Sequence, residues 1–366
     1  MKITKRTCFG LLAVATFALI GSITLVNCGG GSGSAINSTI IVPRYAYVAN
    51  SNDDSVSIYG VDAATGKLQS LGTVSAGSMP YSVAVDPTGK YVYVANFNGN
   101  DVSQYSINAN GSLASLTTPT VASGGGPASI LVDPSGKYVY VTNNLSNNVS
   151  QYTINADGSL VSMSSPTVTS EIGPQSVTVF PSGKYAYVAN SVSGTVSQYR
   201  ITADGSLTEI TTAVATGTSP ISVKADPSGK YVFVANLISN NVYAYTLNPN
   251  GSLSLIGFFS AGTSPYSVTV DPTGKYAYVA NYDSNNIYNY SISAGGLFSV
   301  TTSPTGTNPS SITIDPSGKY AYVTNFTSNS VSQYTINADG SLVSMSTPTV
   351  NAGSGPISIS ILGSYQ

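Results

Sequence analysis

Short runs of apolar, β-branched and aromatic residues alternate with turns rich in Gly, Asn, Asp and Pro from residue 44 to the C-terminus. The stretch from 81 to 121 shows the pattern clearly and contains four runs, Tyr81–Val85, Tyr91–Ala95, Val102–Ile107 and Leu113–Val121. In the first of these runs serine alternates with apolar side chains. Runs of this composition, spaced 8–12 residues apart, predict β-strands and an all-β fold.

The four-run pattern recurs seven times along the chain. The motif Tyr-Val-Ala-Asn, or a close variant of it, begins at Tyr47, Tyr93, Tyr140, Tyr187, Phe233, Tyr278 and Tyr322. Successive starts are 44 to 47 residues apart. A repeat of this length with four strands matches one blade of a propeller, so the sequence predicts an all-β, seven-bladed β-propeller with four antiparallel strands per blade.

The two ends of the chain together complete one repeat. Residues 44–50 match a repeat from its second run onward, whereas Pro356–Leu362 matches the first run, as in Pro80–Asp86. We therefore predict that one blade combines three N-terminal strands with one C-terminal strand. This arrangement closes the ring and leaves no exposed edge of an open sheet.

A turn of sequence Asp-Pro-Ser/Thr-Gly-Lys recurs between the first and second runs. Proline presets φ for a tight turn, the aspartate side chain caps backbone N–H groups, and glycine takes a positive φ without a Cβ clash. We predict a structural role for the recurring aspartates, which are Asp86, Asp133, Asp226, Asp271 and Asp315.

Composition excludes several classes of function. Only 8% of the residues are charged and histidine is absent. Three of the 13 basic residues, Lys2, Lys5 and Arg6, lie at the extreme N-terminus, and no basic patch remains beyond them. A basic surface is needed to bind nucleic acid, and histidine is the commonest general base and transition-metal ligand. We therefore expect no nucleic-acid partner, no metal site and no cofactor.

Residues 1–28 have the features of an export signal. The basic residues precede an uncharged, mostly apolar stretch from Cys8 to Val26, and Cys28 is followed by a Gly/Ser-rich segment. This arrangement resembles a bacterial lipoprotein signal with Cys28 as the lipid-bearing residue, although Asn27 replaces the usual small residue before the cysteine. An uncleaved membrane anchor and a cleaved, fully secreted protein are the two alternatives.

This interpretation divides the chain into a lipoprotein-type signal over 1–28, a flexible tether over 29–43 and a propeller over 44–366. It places the protein in the bacterial cell envelope, as an outer-membrane or surface lipoprotein that faces the periplasm or the exterior. Cys8 would be removed with the signal and Cys28 acylated, so the mature propeller would contain no disulfide. We expect a monomeric propeller that is held to the membrane by its lipid.

The repeats resemble those of the YVTN β-propeller family and are similar to those of the β-propeller lactonases, which include 6-phosphogluconolactonase-type enzymes. The resemblance extends over 44–366 and implies the fold, with lactone hydrolysis as the activity of the lactonase branch. Those enzymes are expected to use Arg, His and Glu in the central channel. This chain has no His, two Glu residues, and only Arg44 and Arg200 after the signal. We therefore expect the activity not to carry over.

Charged residues that interrupt the repeat are the first candidates for a site. Glu171 stands where the six other copies have Gly, Lys224 replaces a small or apolar residue in a first run, and Arg200 replaces Ser, Thr or Gly after the tyrosine of a third run. Glu209 lies in a neighbouring fourth run. We consider Glu171, Arg200 and Lys224 as ligand contacts, with drift of solvent-exposed repeat positions as the alternative.

The Asn-rich loops after each Tyr-Val-Ala/Thr-Asn motif are a second candidate surface. They contain Asp53, Asp54, Asp101 and Asp283, beside Asn, Ser and aromatic residues that could hydrogen-bond a glycan. Asp53 and Asp54 could contribute to a Ca²⁺ site, but no loop has the ligand spacing of a calcium motif. We predict a non-enzymatic, envelope-anchored binding or scaffold module for an unknown protein or glycan, with a lactone hydrolase as the alternative.

Overall fold

Seven four-stranded antiparallel sheets make up the computed structural model, which describes residues 41–365. Each blade is named here by a number, beginning with the one that contains both chain ends. Blade 1 contains β1 (Ile41–Asn50), β2 (Ser55–Val61), β3 (Leu68–Ser75) and β28 (Pro356–Tyr365). Blade 2 contains β4 (Pro80–Val85), β5 (Tyr91–Asn96), β6 (Asp101–Ile107) and β7 (Leu113–Ala122). Blade 3 contains β8 (Pro127–Val132), β9 (Tyr138–Asn143), β10 (Asn148–Ile154) and β11 (Leu160–Thr169).

The remaining blades follow in chain order. Blade 4 contains β12 (Pro174–Val179), β13 (Tyr185–Asn190), β14 (Thr195–Ile201) and β15 (Leu207–Ala215). Blade 5 contains β16 (Pro220–Ala225), β17 (Tyr231–Asn236), β18 (Asn241–Leu247) and β19 (Leu253–Ser260). Blade 6 contains β20 (Pro265–Val270), β21 (Tyr276–Asn281), β22 (Asn286–Ser293) and β23 (Gly296–Pro304). Blade 7 contains β24 (Pro309–Ile314), β25 (Tyr320–Asn325), β26 (Ser330–Ile336) and β27 (Leu342–Asn351).

The first strand of each blade contacts the first strand of the next, and β28 contacts β4, so the seven inner strands form a closed ring. Blade 1 has the strand order β28-β1-β2-β3, which confirms the predicted pairing of one C-terminal strand with three N-terminal strands. Tyr45 lies opposite Leu362 and Val48 lies opposite Ile359 in this pairing. The fold is therefore the predicted all-β, seven-bladed β-propeller.

The N-terminal boundary differs slightly from the prediction. Strand β1 begins at Ile41, which pairs with Tyr365, so residues 41–43 belong to the blade and not to the tether. The run of apolar residues before Arg44 can therefore extend the pairing with β28. The predicted signal over 1–28 and the rest of the tether lie outside the described residues. Between 41 and 365 no helix is long and apolar enough to cross a membrane.

Tyrosines of the second and third strands join neighbouring blades. The hydroxyl of Tyr47 donates to the carbonyl of Gly111 at 3.0 Å, and that of Tyr105 donates to the carbonyl of Ser75 at 2.7 Å. Equivalent bonds recur around the ring. Burial raises the pKa of these phenols, to about 12 for Tyr59, so they remain donors at neutral pH. The repeated tyrosines therefore pack in the core and bond neighbouring blades to one another.

The recurring aspartates cap the turns after the inner strands. Asp86 Oδ1 accepts from the N–H groups of Lys90 at 2.8 Å and Tyr91 at 2.7 Å, and its Oδ2 accepts from the N–H of Thr88 at 3.0 Å. The two bonds to Oδ1 recur at the four other aspartates. These contacts confirm the structural role. Blade 4 has Phe180 at this position, where the ring packs edge-on against Tyr187 with centroids 6.0 Å apart.

Candidate functional site

A cavity of about 160 Å³ lies on the propeller axis where the inner strands begin. Each inner strand starts with a proline, and the two residues after the proline line the cavity in all seven blades. We call this cavity the channel mouth. It is defined by Tyr81, Ser82, Ala128, Ser129, Gln175, Ser176, Ile221, Ser222, Tyr266, Ser267, Ser310, Ser311, Ile357 and Ser358. None of these side chains carries a charge at neutral pH.

One serine from each blade forms a ring around the channel mouth. The Oγ atom of Ser82 accepts a hydrogen bond from the N–H of Ile130 in the next blade, at 3.1 Å. Five further serines make the same bond across their own junctions, at 3.2–3.4 Å. At the last junction Ser310 replaces this link, because its hydroxyl donates to the carbonyl of Pro356 at 2.7 Å. A hydroxyl that accepts from the backbone keeps its own proton to donate into the channel.

The residue between the proline and the serine varies from blade to blade and determines which side chains line the channel mouth beside the serines. Two of the seven variable residues, Tyr81 of blade 2 and Tyr266 of blade 6, reach across the axis. Their hydroxyl oxygens are 2.7 Å apart, so one phenol donates to the other. Burial, and secondarily the neighbouring Tyr81, raises the pKa of Tyr266 well above 10. The phenol that accepts this bond therefore still has a proton to donate to a ligand.

Aromatic residues of the adjoining loops support the tyrosine pair. Tyr81 packs against Phe97 with ring centroids 5.4 Å apart, and Tyr266 packs against Tyr282 at 5.3 Å. On the opposite side of the channel mouth, Asn144 Nδ2 donates to Gln175 Oε1 at 2.9 Å. This bond holds the Gln175 carbonyl and leaves its amide protons available for another acceptor.

Lys224 follows the serine ring along the inner strand of blade 5 and is not itself among the residues that line the channel mouth. It is two residues beyond Ser222 on β16, and alternation along the strand places both side chains on the channel side. Its side chain is partly accessible, yet it is surrounded by protein, and this burial lowers the pKa of the amine below its ordinary value. No neighbouring charge contributes to the shift, and residues 41–365 contain no ion pair within 4.0 Å. Lys224 is therefore a buried amine without an ion-pair partner, on an inner strand that lines the channel mouth.

The other charged candidates do not converge on Lys224. Glu171 is exposed in the loop before β12, and no carboxylate of the described chain pairs with the lysine. Arg200 is exposed on β14, opposite Tyr185 in the register, and Glu209 is exposed on β15. Neither is among the residues that line the channel mouth. Among the described residues Glu171 and Lys224 form no ion pair within 4.0 Å, and their role as ligand contacts stays a prediction.

The four loop aspartates are already engaged in contacts within the protein. Asp53 Oδ2 accepts from the N–H of Ser354 at 2.8 Å, and Asp54 Oδ1 accepts from the N–H of Met79 at 2.7 Å. Asp101 Oδ1 accepts from Asn96 Nδ2 at 2.7 Å. Asp283 Oδ2 accepts from the hydroxyl of Ser264 at 2.5 Å. These bonds show structural uses for the predicted contacts Asp53, Asp54, Asp101 and Asp283.

The contact of Asp54 with the next blade recurs around the ring. Asp54 has a positive φ of 51°, and asparagines with φ of 50–55° occupy the same loop position in five other blades. Each of those asparagines accepts, through Oδ1, from a backbone N–H of the next blade. Asn and Asp tolerate this left-handed conformation better than other side chains. Within residues 41–365 no group of three or more His, Cys, Asp or Glu residues could hold a metal ion.

A family model described as "Lactonase, 7-bladed beta-propeller" matches residues 16–122, 101–269 and 254–358. The chain belongs to this family. The similarity to the β-propeller lactonases, which the repeat motifs implied, is confirmed at the level of the family. A comparison with curated protein sequences finds no match.

Solved structures of low sequence identity share the fold of this lactonase-family chain. A candidate 6-phosphogluconolactonase from Bacteroides uniformis is 20% identical, with a TM-score of 0.79 over 87% of this chain and 99% of the other. A second candidate 6-phosphogluconolactonase, from Bacteroides fragilis, is 22% identical, with a TM-score of 0.77 over 90% and 100%. The periplasmic gluconolactonase of Pseudomonas aeruginosa is 20% identical, with a TM-score of 0.75 over 89% and 99%.

Sequence reasoning missed the channel mouth because it searched for charged residues. The signal was present in the position after each inner-strand proline, which reads Tyr81, Ala128, Gln175, Ile221, Tyr266, Ser310 and Ile357. A variable position between a constant proline and a constant serine indicates that the fold does not dictate the residue there. Of the charged candidates, Lys224 is the one on an inner strand, two residues beyond a residue that lines the channel mouth.

Proposed function

We propose that this lactonase-family propeller binds an uncharged lactone at the channel mouth and hydrolyses it. The observation that carries the proposal is the channel mouth itself, a neutral, hydroxyl-lined cavity, and the buried amine of Lys224 lies two residues beyond its lining residue Ser222. Membership of the lactonase family supports the reaction class. We therefore favour the enzymatic alternative over the non-enzymatic module that the sequence first suggested.

Cavity size and polarity define the part of the ligand that enters. A cavity of about 160 Å³ is close to the ~150 Å³ that accommodates a benzene-sized ring, so it fits one six-membered ring. The serine hydroxyls, the Gln175 amide and the tyrosine pair offer donors to ring and carbonyl oxygens. A phosphate group would need a cluster of cations, and none of the described lining residues is cationic. An uncharged lactone fits this environment better than a phosphorylated one.

The tyrosine pair supplies the electrophilic side of the reaction in this proposal. The free phenol proton of the Tyr81–Tyr266 pair donates to the lactone carbonyl oxygen, where negative charge develops when water attacks. A fixed donor aimed at such an oxygen stabilises the transition state because it needs no reorganisation. The raised pKa of Tyr266 keeps the phenol protonated and available as a donor.

Lys224 supplies the base. Its neutral amine accepts a proton from water as the water oxygen bonds to the carbonyl carbon. The ring C–O bond then breaks, the proton passes to the leaving alkoxide, and the product is an open hydroxy acid. A lysine whose pKa is lowered by burial has more of the neutral amine at moderate pH than an ordinary lysine.

A binding module without turnover is the second candidate function. It is favoured by one observation, that no carboxylate, imidazole or guanidinium lines the described channel mouth. In that case the same cavity would hold a neutral sugar or lactone through its hydroxyls. The two candidates share a binding site and differ only in whether bound lactone is hydrolysed.

Comparison of δ-gluconolactone with 6-phosphogluconolactone tests the function. We expect hydrolysis of the uncharged lactone, followed by pH-stat titration, and little or no hydrolysis of the phosphorylated one. Replacing both phenols in the variant Tyr81→Phe with Tyr266→Phe should lower kcat about 10²-fold or more, because loss of an oxyanion donor typically costs that much. Tyr243→Phe is the matched control, since Tyr243 stacks on Phe258 away from the channel mouth.

Two results would contradict the proposal. Equal hydrolysis of both lactones would contradict the preference for an uncharged substrate. Unchanged kcat in the double phenylalanine variant would show that the tyrosine pair takes no part in the reaction. Binding of δ-gluconolactone by calorimetry, without any hydrolysis above the spontaneous rate, would favour the binding module instead.

We also propose that the propeller is tethered to the cell envelope through a lipid on Cys28. The support is the sequence pattern of residues 1–28, since these residues lie outside the described structure. Radiolabelled palmitate should enter the wild-type protein, and Cys28→Ala should abolish the label and release the protein from the membrane fraction. Unlabelled wild-type protein and full retention of the variant would indicate an uncleaved anchor.

A further inference from the structure

Four exposed apolar side chains lie on the same propeller face as the channel mouth. We call them the apolar arc: Leu145 of blade 3, Ile172 and Val192 of blade 4, and Ile238 of blade 5, which are 67%, 54%, 71% and 65% exposed. Side chains this exposed contribute nothing to the core. Scattered single apolar residues on a surface need no explanation, but a contiguous group does.

Backbone hydrogen bonds show that the arc is one surface. The N–H of Val192 donates to the carbonyl of Ile172 at 3.3 Å, so these two residues are direct neighbours. The loop that carries Leu145 bonds to the loop before β12 through Ser170 N–H and Asn147 C=O at 3.0 Å. The loop that carries Val192 bonds in the same way to blade 5. The loops that carry the arc are therefore joined by backbone hydrogen bonds over three adjacent blades.

The repeat does not require apolar residues in these loops. Leu145, Val192 and Ile238 occupy one loop position, and the other blades have polar residues there, namely Asn52, Asn98, Asp283 and Thr327. All seven loops have the same backbone connection to the turn before the inner strand. The predicted acidic contacts Asp53, Asp54, Asp101 and Asp283 lie on blades 1, 2 and 6, whereas the loops of the arc contain one exposed acidic residue, Glu171, beside Ile172.

The arc borders the channel mouth directly. Asn144, which precedes Leu145, bonds to the lining residue Gln175, and the lining residue Ile221 belongs to the inner strand of the blade that carries Ile238. A ligand whose ring fills the cavity of about 160 Å³ has no room there for a longer substituent. A substituent that leaves the cavity on the side of blades 3 to 5 meets the arc first.

The size of the arc favours a chain over a protein partner. A stable protein interface buries about 800 Å² on each side, from roughly 20–30 residues, whereas the arc has four. A single alkyl chain is the kind of group that four neighbouring apolar side chains can cover.

We infer that the substrate is an uncharged lactone that carries an alkyl or acyl chain, with its ring in the channel mouth and its chain on the apolar arc. This inference rests on the proposed function for the position of the ring. It makes Leu145, Ile172, Val192 and Ile238 determinants of specificity, which contact the chain and take no part in bond breaking.

A series of δ-lactones with increasing chain length tests the inference on the full-length protein. δ-Valerolactone has no chain, and δ-decalactone and δ-dodecalactone carry five and seven carbons. Kd is measured by calorimetry and hydrolysis by pH-stat, both below the solubility limit of each lactone. Full burial of a methylene corresponds to about a fourfold change in affinity, so partial burial of five carbons should lower Kd at least tenfold between δ-valerolactone and δ-decalactone.

The variants use residues that the protein itself carries at the same loop position. Leu145→Asn with Val192→Asn copies Asn98 and Asn52 into blades 3 and 4, and should abolish the tenfold gain while leaving δ-valerolactone within twofold. Leu71→Asn is the matched control, because Leu71 is 49% exposed on the outer strand β3. It should leave the whole series unchanged.

The outcomes separate this inference from the proposed function. Binding or hydrolysis of δ-valerolactone without any gain from the chain would overturn the inference alone. A gain that depends on the arc, without hydrolysis of any lactone, would support the inference as a binding preference and leave the hydrolase proposal wrong. Sedimentation that shows a dimer of the wild type but a monomer of the asparagine variant would mean that a second copy covers the arc, and would also overturn the inference.

Discussion

Deletion of Gly355–Gln366 is expected to abolish cooperative unfolding and to cause aggregation. The deletion removes β28, the inner strand of blade 1, and with it the pairing to β1 that closes the ring. Ile357, Ile359 and Leu362 are buried in this strand. Each buried side chain of this kind contributes ~1.5–3 kcal/mol, and the three together approach the ~5–15 kcal/mol that usually separates a folded domain from the unfolded chain.

Loss of β28 also creates two surfaces that native propellers avoid. The edge of β1 becomes unpaired, and unpaired edges of this length promote association with other chains. Blades 2 and 7 lose the strand that their own inner strands contact. Scanning calorimetry and size-exclusion chromatography measure the two effects, and we expect a broad or absent transition and early-eluting material.

A shorter deletion is the matched control. Removing residues 363–366 keeps Pro356–Leu362, which provides the pairing from Tyr45 to Asn50, and removes only the extension that pairs with residues 41–43. This variant should still unfold in one transition. If instead the longer deletion melts like the full-length protein, then β28 does not close the ring in solution.

The architecture was predictable because the repeat specifies it many times over. The Tyr-Val-Ala-Asn strand, the capped aspartate turn and the tyrosine of the third strand each return in most blades, so a single ambiguous copy cannot mislead. Closure could be predicted because an incomplete repeat at one end matched the missing strand at the other. The start of β1 at Ile41 was missed because residues 41–43 extend blade 1 beyond the repeat unit and have no counterpart in other copies.

The site was harder to predict because the residues that line the channel mouth are uncharged. A search for charges found Glu171, Arg200 and the loop aspartates, and the structure assigns the aspartates to bonds between and within loops. The pairing of Tyr81 with Tyr266 cannot be deduced from their spacing of 185 residues unless the ring geometry is known, since they sit in blades that are not consecutive. Lys224 was found from the sequence because a charge on an inner strand is conspicuous, but its isolation from carboxylates became visible only in the fold.

Replacement of Lys224 has the second large expected effect. If Lys224 is the general base, Lys224→Met should lower kcat for δ-gluconolactone by ~10²–10⁴-fold, the usual contribution of such a group. Lys224→Arg keeps a positive charge but cannot lose its proton at moderate pH, so it should be as inactive as the methionine variant. Thr269→Val, at the same position of the next blade, is the control that should retain activity.

Lys224→Met should raise the stability of the folded protein while it lowers kcat. This combination distinguishes the loss of a catalytic group from misfolding. Burial lowers the pKa of Lys224 below 10.5 in the folded chain, so the unfolded chain binds more protons between the folded pKa and 10.5. The stability of the wild type must then rise with pH through this window, because stability increases wherever the unfolded state holds more protons. Below this pH range the Lys224 amine is charged and buried without a partner, which destabilises the folded chain. Lys224→Met should therefore unfold at a higher temperature than the wild type.

The pH profile of hydrolysis is a second test of Lys224 as the base. A base acts only when it is deprotonated, so kcat/KM of the wild type should rise with pH and level off above the folded pKa of Lys224, at a midpoint below 10.5. The methionine variant should lose this rise while it keeps its fold and its affinity for δ-gluconolactone. Retained activity in Lys224→Met, or full activity in Lys224→Arg, would show that the amine is not the base. The channel would then need another route to activate water, and its ring of serine hydroxyls would be the next group to replace.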